Sequence, residues 1–92
     1  MKQEREEQWE ERLQAFARRS KIDLQTLPTA KSHPSKTLLA AAMKASSSVS
    51  NRWLAGRLAM GKAASASQFA RRRMLAPKGR AETEALLSRV KT

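Results

Sequence analysis

Apolar residues recur along this chain at helical spacing, and no stretch alternates as a half-buried strand would. Between Lys2 and Arg19, Trp9, Leu13 and Phe16 stand at i, i+4 and i+7, which predicts an amphipathic helix with one buried face. Its acids crowd the first half, and Arg18, Arg19 and Lys21 follow at the end, so charge complements both ends of the helix dipole. The alanine-rich run Ser35 to Ala45 predicts a second helix, because alanine has the highest propensity and Pro34 suits a first turn. Its inner face should be Leu38, Leu39 and Ala42, with Ala45 at the margin. Leu54 and Leu58, with Ala55 beside them, predict a third helix over about Asn51 to Ala59, capped by Ser48 or Ser50. A fourth should run from Ala63 or Ala64 to Arg73. A fifth should run from Ala81 to Val90, carrying Leu86, Leu87 and Val90, with Glu82 and Glu84 in its first turn.

The interruptions are as informative as the helices. Residues 24–34 contain a Leu-Pro and a His-Pro step, and a residue before proline avoids helical geometry, so this stretch reads as a connection. His33, the single histidine, should be solvated or cap a helix. One histidine without cysteines or neighbouring carboxylates makes no metal site. Met60 and Gly61 end the third periodicity, with Gly61 supplying the positive φ of a left-handed stop. Pro77 and Gly79 should break the chain over Met74 to Arg80. The expected architecture is all-α: a small helical bundle with a central three-helix helix-turn-helix unit at 35–73, an amphipathic N-terminal segment at 1–23, the connection at 24–34 and a C-terminal helix at 74–92.

Two helices joined as tightly as the third and fourth, the latter studded with Ser, Gln and Arg, match the helix-turn-helix pattern. At 100° per residue, Ala66, Phe69, Ala70 and Arg73 share one side of the fourth helix, which should pack. Ala64, Gln68 and Arg71 share the other, flanked by Ser65, Ser67 and Arg72. An amide able to pair with adenine, a guanidinium able to pair with guanine and small hydroxyls supply the chemistry of major-groove readout. The candidate base-facing residues are therefore Ala64, Ser65, Ser67, Gln68 and Arg71. Arg52, Arg57, Lys62, Arg72 and Arg73 are the candidate phosphate contacts, although Arg73 falls near the packed side and has to reach past the helix end or stay wet. Arg71, Arg72 and Arg73 could also be only a solvated helix end that complements the dipole. Trp53 should pack against the N-terminal or C-terminal helix, with stacking on a nucleobase as the sharper alternative.

Charge strengthens the nucleic-acid reading. The 92 residues carry a net charge of +11 from 19 basic and 8 acidic side chains. Glu4, Glu6, Glu7, Glu10 and Glu11 sit at the start of the chain, and only Asp23, Glu82 and Glu84 follow. From Leu24 to Ala81 there is no acid, while Lys31, Lys36, Lys44, Arg52, Arg57, Lys62, Arg71, Arg72, Arg73, Lys78 and Arg80 are all basic. Self-repulsion of this kind disfavours a compact state unless a polyanion binds, so nucleic acid ranks first and an anionic surface second. A chain this short supports one thin core, in which Trp9, Phe16, Trp53 and Phe69, the only aromatics, should each anchor a contact. There is no cysteine, hence no disulfide or thiolate metal site. No apolar run approaches the roughly 18 to 20 residues that span a bilayer, and the polar first residues are no signal peptide.

The central segment resembles the carboxy-terminal part of transposases associated with repetitive extragenic palindromes, members of the His-hydrophobic-His single-strand transposase group. The matching residues are Ser47, Ser48, Val49 and Ser50, then Trp53-Leu54-Ala55, Arg57-Leu58, Met60-Gly61, and Ala66-Ser67 before Phe69. In that family a similar run of Thr or Ser, Trp-Ile-Ala, Leu and Met-Gly, then Val-Ser-Asn-Leu, closes the protein. The likeness covers about residues 36–73 and implies a detached DNA-binding tail: a gene remnant, a stand-alone module or a fragment. The family's nuclease uses a histidine pair and a tyrosine nucleophile. This chain has one histidine and no tyrosine, so the resemblance carries no catalysis, and Ala66-Ser67-Gln68 stands where the family has Val-Ser-Asn.

The leading expectation is thus a non-enzymatic, cytoplasmic, nucleoid-associated protein that binds duplex DNA and needs no cofactor, metal or small-molecule substrate. No carboxylate pair, Cys-His set or phosphate-binding glycine loop supports an enzyme. The alternatives are a basic module that docks an acidic protein and forms a homodimer through Trp9, Leu13 and Phe16, or a binder of RNA or anionic surfaces without sequence preference.

Overall fold

The computed structural model describes residues 6–30 and 33–90. These form helices α1 (Glu6–Arg19), α2 (Pro34–Ser46), α3 (Asn51–Arg57), α4 (Ala63–Leu75) and α5 (Pro77–Arg89), with one 3-10 turn at Leu24–Thr26. No strand occurs among the described residues. The all-α, five-helix bundle follows the apolar periodicity closely. The expected first turn of α1 at residues 2–5 and Lys31 of the connection lie outside the described residues.

Helix α2 is the centre. Its start is fixed by Pro34 and by His33, whose Nδ1 accepts the Ser35 amide at 3.1 Å, the capping role expected of that histidine. Every residue from Leu39 to Met43 is buried, because α1, α4 and α5 all pack on α2. The expected inner face was too narrow: Ala40, Ala41 and Met43 are buried as well, whereas Leu38 is half-buried and Ala45 exposed. Alanines let three neighbours approach one helix, and a single-stripe reading does not anticipate that. Helices α1 and α4 both pack on α2 and on α5 and barely meet each other.

Leu13 and Phe16 of α1 are fully buried in the common core, together with Leu39, Leu54, Leu58 and Met60. Trp9 meets Trp53 of α3 with ring centroids 5.7 Å apart and planes tilted by 59°, a favourable aromatic geometry. The Trp9, Leu13 and Phe16 face therefore packs inside the chain.

The α3 to α4 turn departs from the expected stop. Helix α3 is capped by Ser50, whose hydroxyl accepts the Trp53 amide at 3.1 Å, and it ends at Arg57. The left-handed residue is Ala59, at φ 53°, and the Met60 amide donates back to the Ala55 carbonyl at 2.9 Å. This is a Schellman stop closed by buried Met60. Gly61, at φ 90°, takes its positive φ two residues later and turns the chain into α4. Lys36 is fully buried, and its Nζ donates to the Ala59 carbonyl at 3.1 Å, tying α2 to this turn. One of the eleven bases of the acid-free span is thus structural.

The break expected over Met74 to Arg80 shrinks to Ala76, which ends α4 and begins α5, so α5 starts at Pro77 rather than Ala81. Pro77 fits a first helical turn, and Gly79 lets that turn close on α4: a Cβ there would lie 2.6 Å from the Arg73 carbonyl oxygen and 3.0 Å from Arg73 Cγ. Gly79→Ala should therefore destabilise. The helix-propensity gain of about 1 kcal/mol is outweighed by overpacking against backbone, which costs about 1–3 kcal/mol. Denaturant unfolding followed by circular dichroism should show a lowered midpoint, and an unchanged or raised midpoint would mean the junction gives way freely.

Candidate nucleic-acid interface

Helix α4 is held by one side only. Ala66 and Ala70 are buried, and Phe69 and Arg73 are half-buried, against α2, α3 and α5. On the opposite side Ala64, Gln68 and Arg71 are exposed, with Arg72 alongside. Leu75 completes that outer stripe at 73% exposure, the only large hydrophobic so exposed among the described residues. Ser65 and Ser67 are half-buried flanks. Ser67, Ala70, Arg71 and Met74 border a shallow hollow of about 240 Å³ whose other wall is Ala41, Lys44 and Ala45 of α2. Lys44 therefore stands beside Arg71, a neighbourhood that separation in sequence concealed.

The candidate phosphate contacts divide into two groups. Arg52 in the first turn of α3, Lys62 at the N-cap of α4, and Arg72 are exposed. No side chain caps the start of α4, which leaves the amides of its first turn without a capping partner. Arg57 and Arg73, in contrast, are engaged within the chain. Arg57 Nε and Nη2 donate to Glu10 Oε1 and Oε2 at 2.6 and 2.8 Å, a bidentate pair joining α3 to α1. Arg73 neither reaches past the helix end nor stays wet. Its Nε donates to Thr37 Oγ1 at 3.0 Å, Nη2 to the Pro34 carbonyl at 3.1 Å and Nη1 to Glu82 at 3.0 Å, joining α4 to both α2 and α5. Sequence spacing put Arg73 near the packed face, but its partners, 36, 39 and 9 positions away, had no local signature.

The hydrogen bonds from Arg57 hold the Glu10 carboxyl below the usual carboxylate range, opposed by partial burial and aided by Gln14. A depressed folded value stabilises the protein fully above the unfolded carboxylate value and loses that contribution as pH falls through the folded one. Because both side chains are partly exposed, the pair contributes about 1 kcal/mol at most. Glu10→Gln should lower the unfolding midpoint at pH 7 and leave it equal to wild type at a pH below the folded Glu10 value. A difference that persists unchanged in acid would place the effect elsewhere.

Among the described residues, no group of three His, Cys, Asp or Glu side chains could hold a metal ion, and no helix is long and apolar enough to cross a membrane. Compared with protein-family models, curated proteins and solved structures, the chain matches none of them.

Proposed function

We propose that this chain binds duplex DNA with sequence preference, α4 entering the major groove as the second helix of a helix-turn-helix in which α3 is the first and α2 the support. The observation that carries this reading is the two-sidedness of α4: Ala66, Phe69, Ala70 and Arg73 anchor it, while Ala64, Gln68 and Arg71 face solvent in a span without acids. Gln68 has the donor-acceptor pair that matches adenine N6 and N7, and Arg71 has the fork that matches guanine O6 and N7. Three residues of α-helix advance about 4.5 Å, close to the roughly 3.4 Å between stacked base pairs, so the two side chains suit neighbouring pairs. Lys44, Arg52, Lys62 and Arg72, all exposed, are the phosphate contacts of this reading. Arg57 and Arg73 hold the scaffold that aims it.

The resemblance of residues 36–73 to the tail of the palindrome-associated transposases agrees with this assignment, as a DNA-binding module without the nuclease. Selection from random duplexes at two salt concentrations tests it. An enriched motif is expected, with affinity falling against salt at a log-log slope of about −3 to −4 for four phosphate contacts. No enrichment, or affinity indifferent to salt, would overturn the proposal.

A further inference from the structure

A second basic surface lies away from α4. Arg18 and Arg19 in the last turn of α1 and Arg89 in the last turn of α5 converge, with Ala15 and Val90, on an open hollow of about 630 Å³. All three arginines are exposed, and among the described residues none is in an ion pair. Their helical neighbours explain this: the residues four positions earlier are Gln14, Ala15 and Ala85, none of them acidic. Arg80, by comparison, has Glu84 four positions on and binds it at 3.2 Å. The acids nearest in sequence are Asp23, four positions after Arg19, and Glu84, five before Arg89; Asp23 borders the adjoining hollow with Arg18 and its carboxylate accepts the Gln25 amide, and Glu84 is bound by Arg80.

A single arginine at a helix end is accounted for by the dipole. Three that line one concavity from two helices make a positive site for phosphate. Position supplies the rest. None of the residues lining the hollow lies on α4, and α1 and α4 barely meet, so the hollow is separate from the outer stripe of α4. We propose that the hollow binds the phosphates of a second duplex segment, so that one copy of the chain bridges two duplexes; this rests on reading α4 as the first duplex's contact. The bundle measures 34 × 28 × 25 Å, and even its shortest extent exceeds the Debye length of about 8 Å at physiological ionic strength. Repulsion between two duplexes held more than that length apart is therefore largely screened.

Co-capture tests the bridge. The full chain is added to an immobilised duplex of selected sequence, and retention of a second, fluorescent duplex is measured beside the Kd for a single duplex. Wild type should retain the second duplex. The combined variant Arg18→Gln, Arg19→Gln, Arg89→Gln should lose at least about tenfold of that retention while its single-duplex Kd shifts by less than about threefold. Should the combined variant melt early, the three single substitutions should each lose part of the retention at unchanged stability. Single-duplex binding by wild type without co-capture, or a combined variant that co-captures like wild type, overturns the bridge and leaves the α4 reading intact. Absence of any duplex binding by wild type overturns both.

Discussion

Arg71→Ala is expected to reduce the preference for a selected duplex over a scrambled one by about 1–3 kcal/mol, roughly 5- to 150-fold, with the loss concentrated at one base pair. The physical reason is the position of Arg71: exposed on the outer side of α4, beside Lys44, with no structural duty comparable to that of Arg73. Its removal should leave folding within about 0.5 kcal/mol of wild type, the usual range for a surface change. Lys44→Ala provides the contrast. On the proposed reading it removes a charge that meets phosphate alone, so it should weaken selected and scrambled duplexes slightly and alike and flatten the salt dependence by about one phosphate contact. Competition binding of the two variants against both duplexes distinguishes these outcomes. Equal losses for Arg71→Ala on selected and scrambled DNA would mean that this arginine meets phosphate alone.

Phe16→Ala is expected to have the largest effect on stability. The ring is fully buried between α1 and the common core, so truncation loses transfer energy and leaves a cavity, together about 3–5 kcal/mol. In a domain whose whole stability is about 5–15 kcal/mol, that is a severe loss. The melting temperature should fall by roughly 15–35 °C by circular dichroism. A fall of only a degree or two would mean that α1 rests loosely on the bundle, against the burial of Leu13 and Phe16 and the Arg57 to Glu10 pair that join it to the rest.

The helices and their order were legible in the sequence because the apolar periodicity of each is local: Trp9, Leu13 and Phe16 define α1, Leu54 and Leu58 define α3, and Ala66, Phe69 and Ala70 define the packed side of α4. What was not legible depends on neighbours distant in sequence. The burial of Ala40 and Ala41 follows from α2 being surrounded, and no single helix's pattern reveals how many others will pack on it. Pro77 and Gly79 read as breakers in isolation, yet the fold uses one to start α5 and the other to bring that start against Arg73. Ala59 takes the left-handed position ahead of Gly61 where buried Met60 closes the stop and Lys36, from α2, donates to the Ala59 carbonyl. For the candidate interface, residue type and helical angle foretold which side of α4 faces outward. They could not show that Arg57 and Arg73 would be engaged by Glu10, Thr37, Pro34 and Glu82, or that Lys44 would stand beside Arg71.

The most direct measurement is the mapping of backbone and side-chain NMR shifts as a selected duplex is added to the full chain under conditions of one duplex per protein. The largest changes should fall on Ala64, Gln68 and Arg71, with lesser ones at Lys44, Arg52, Lys62 and Arg72, and the Gln68 side-chain amide should shift only with the selected sequence. Changes confined to α1 and α5, with α4 undisturbed, would contradict the assignment of α4 as the reading helix.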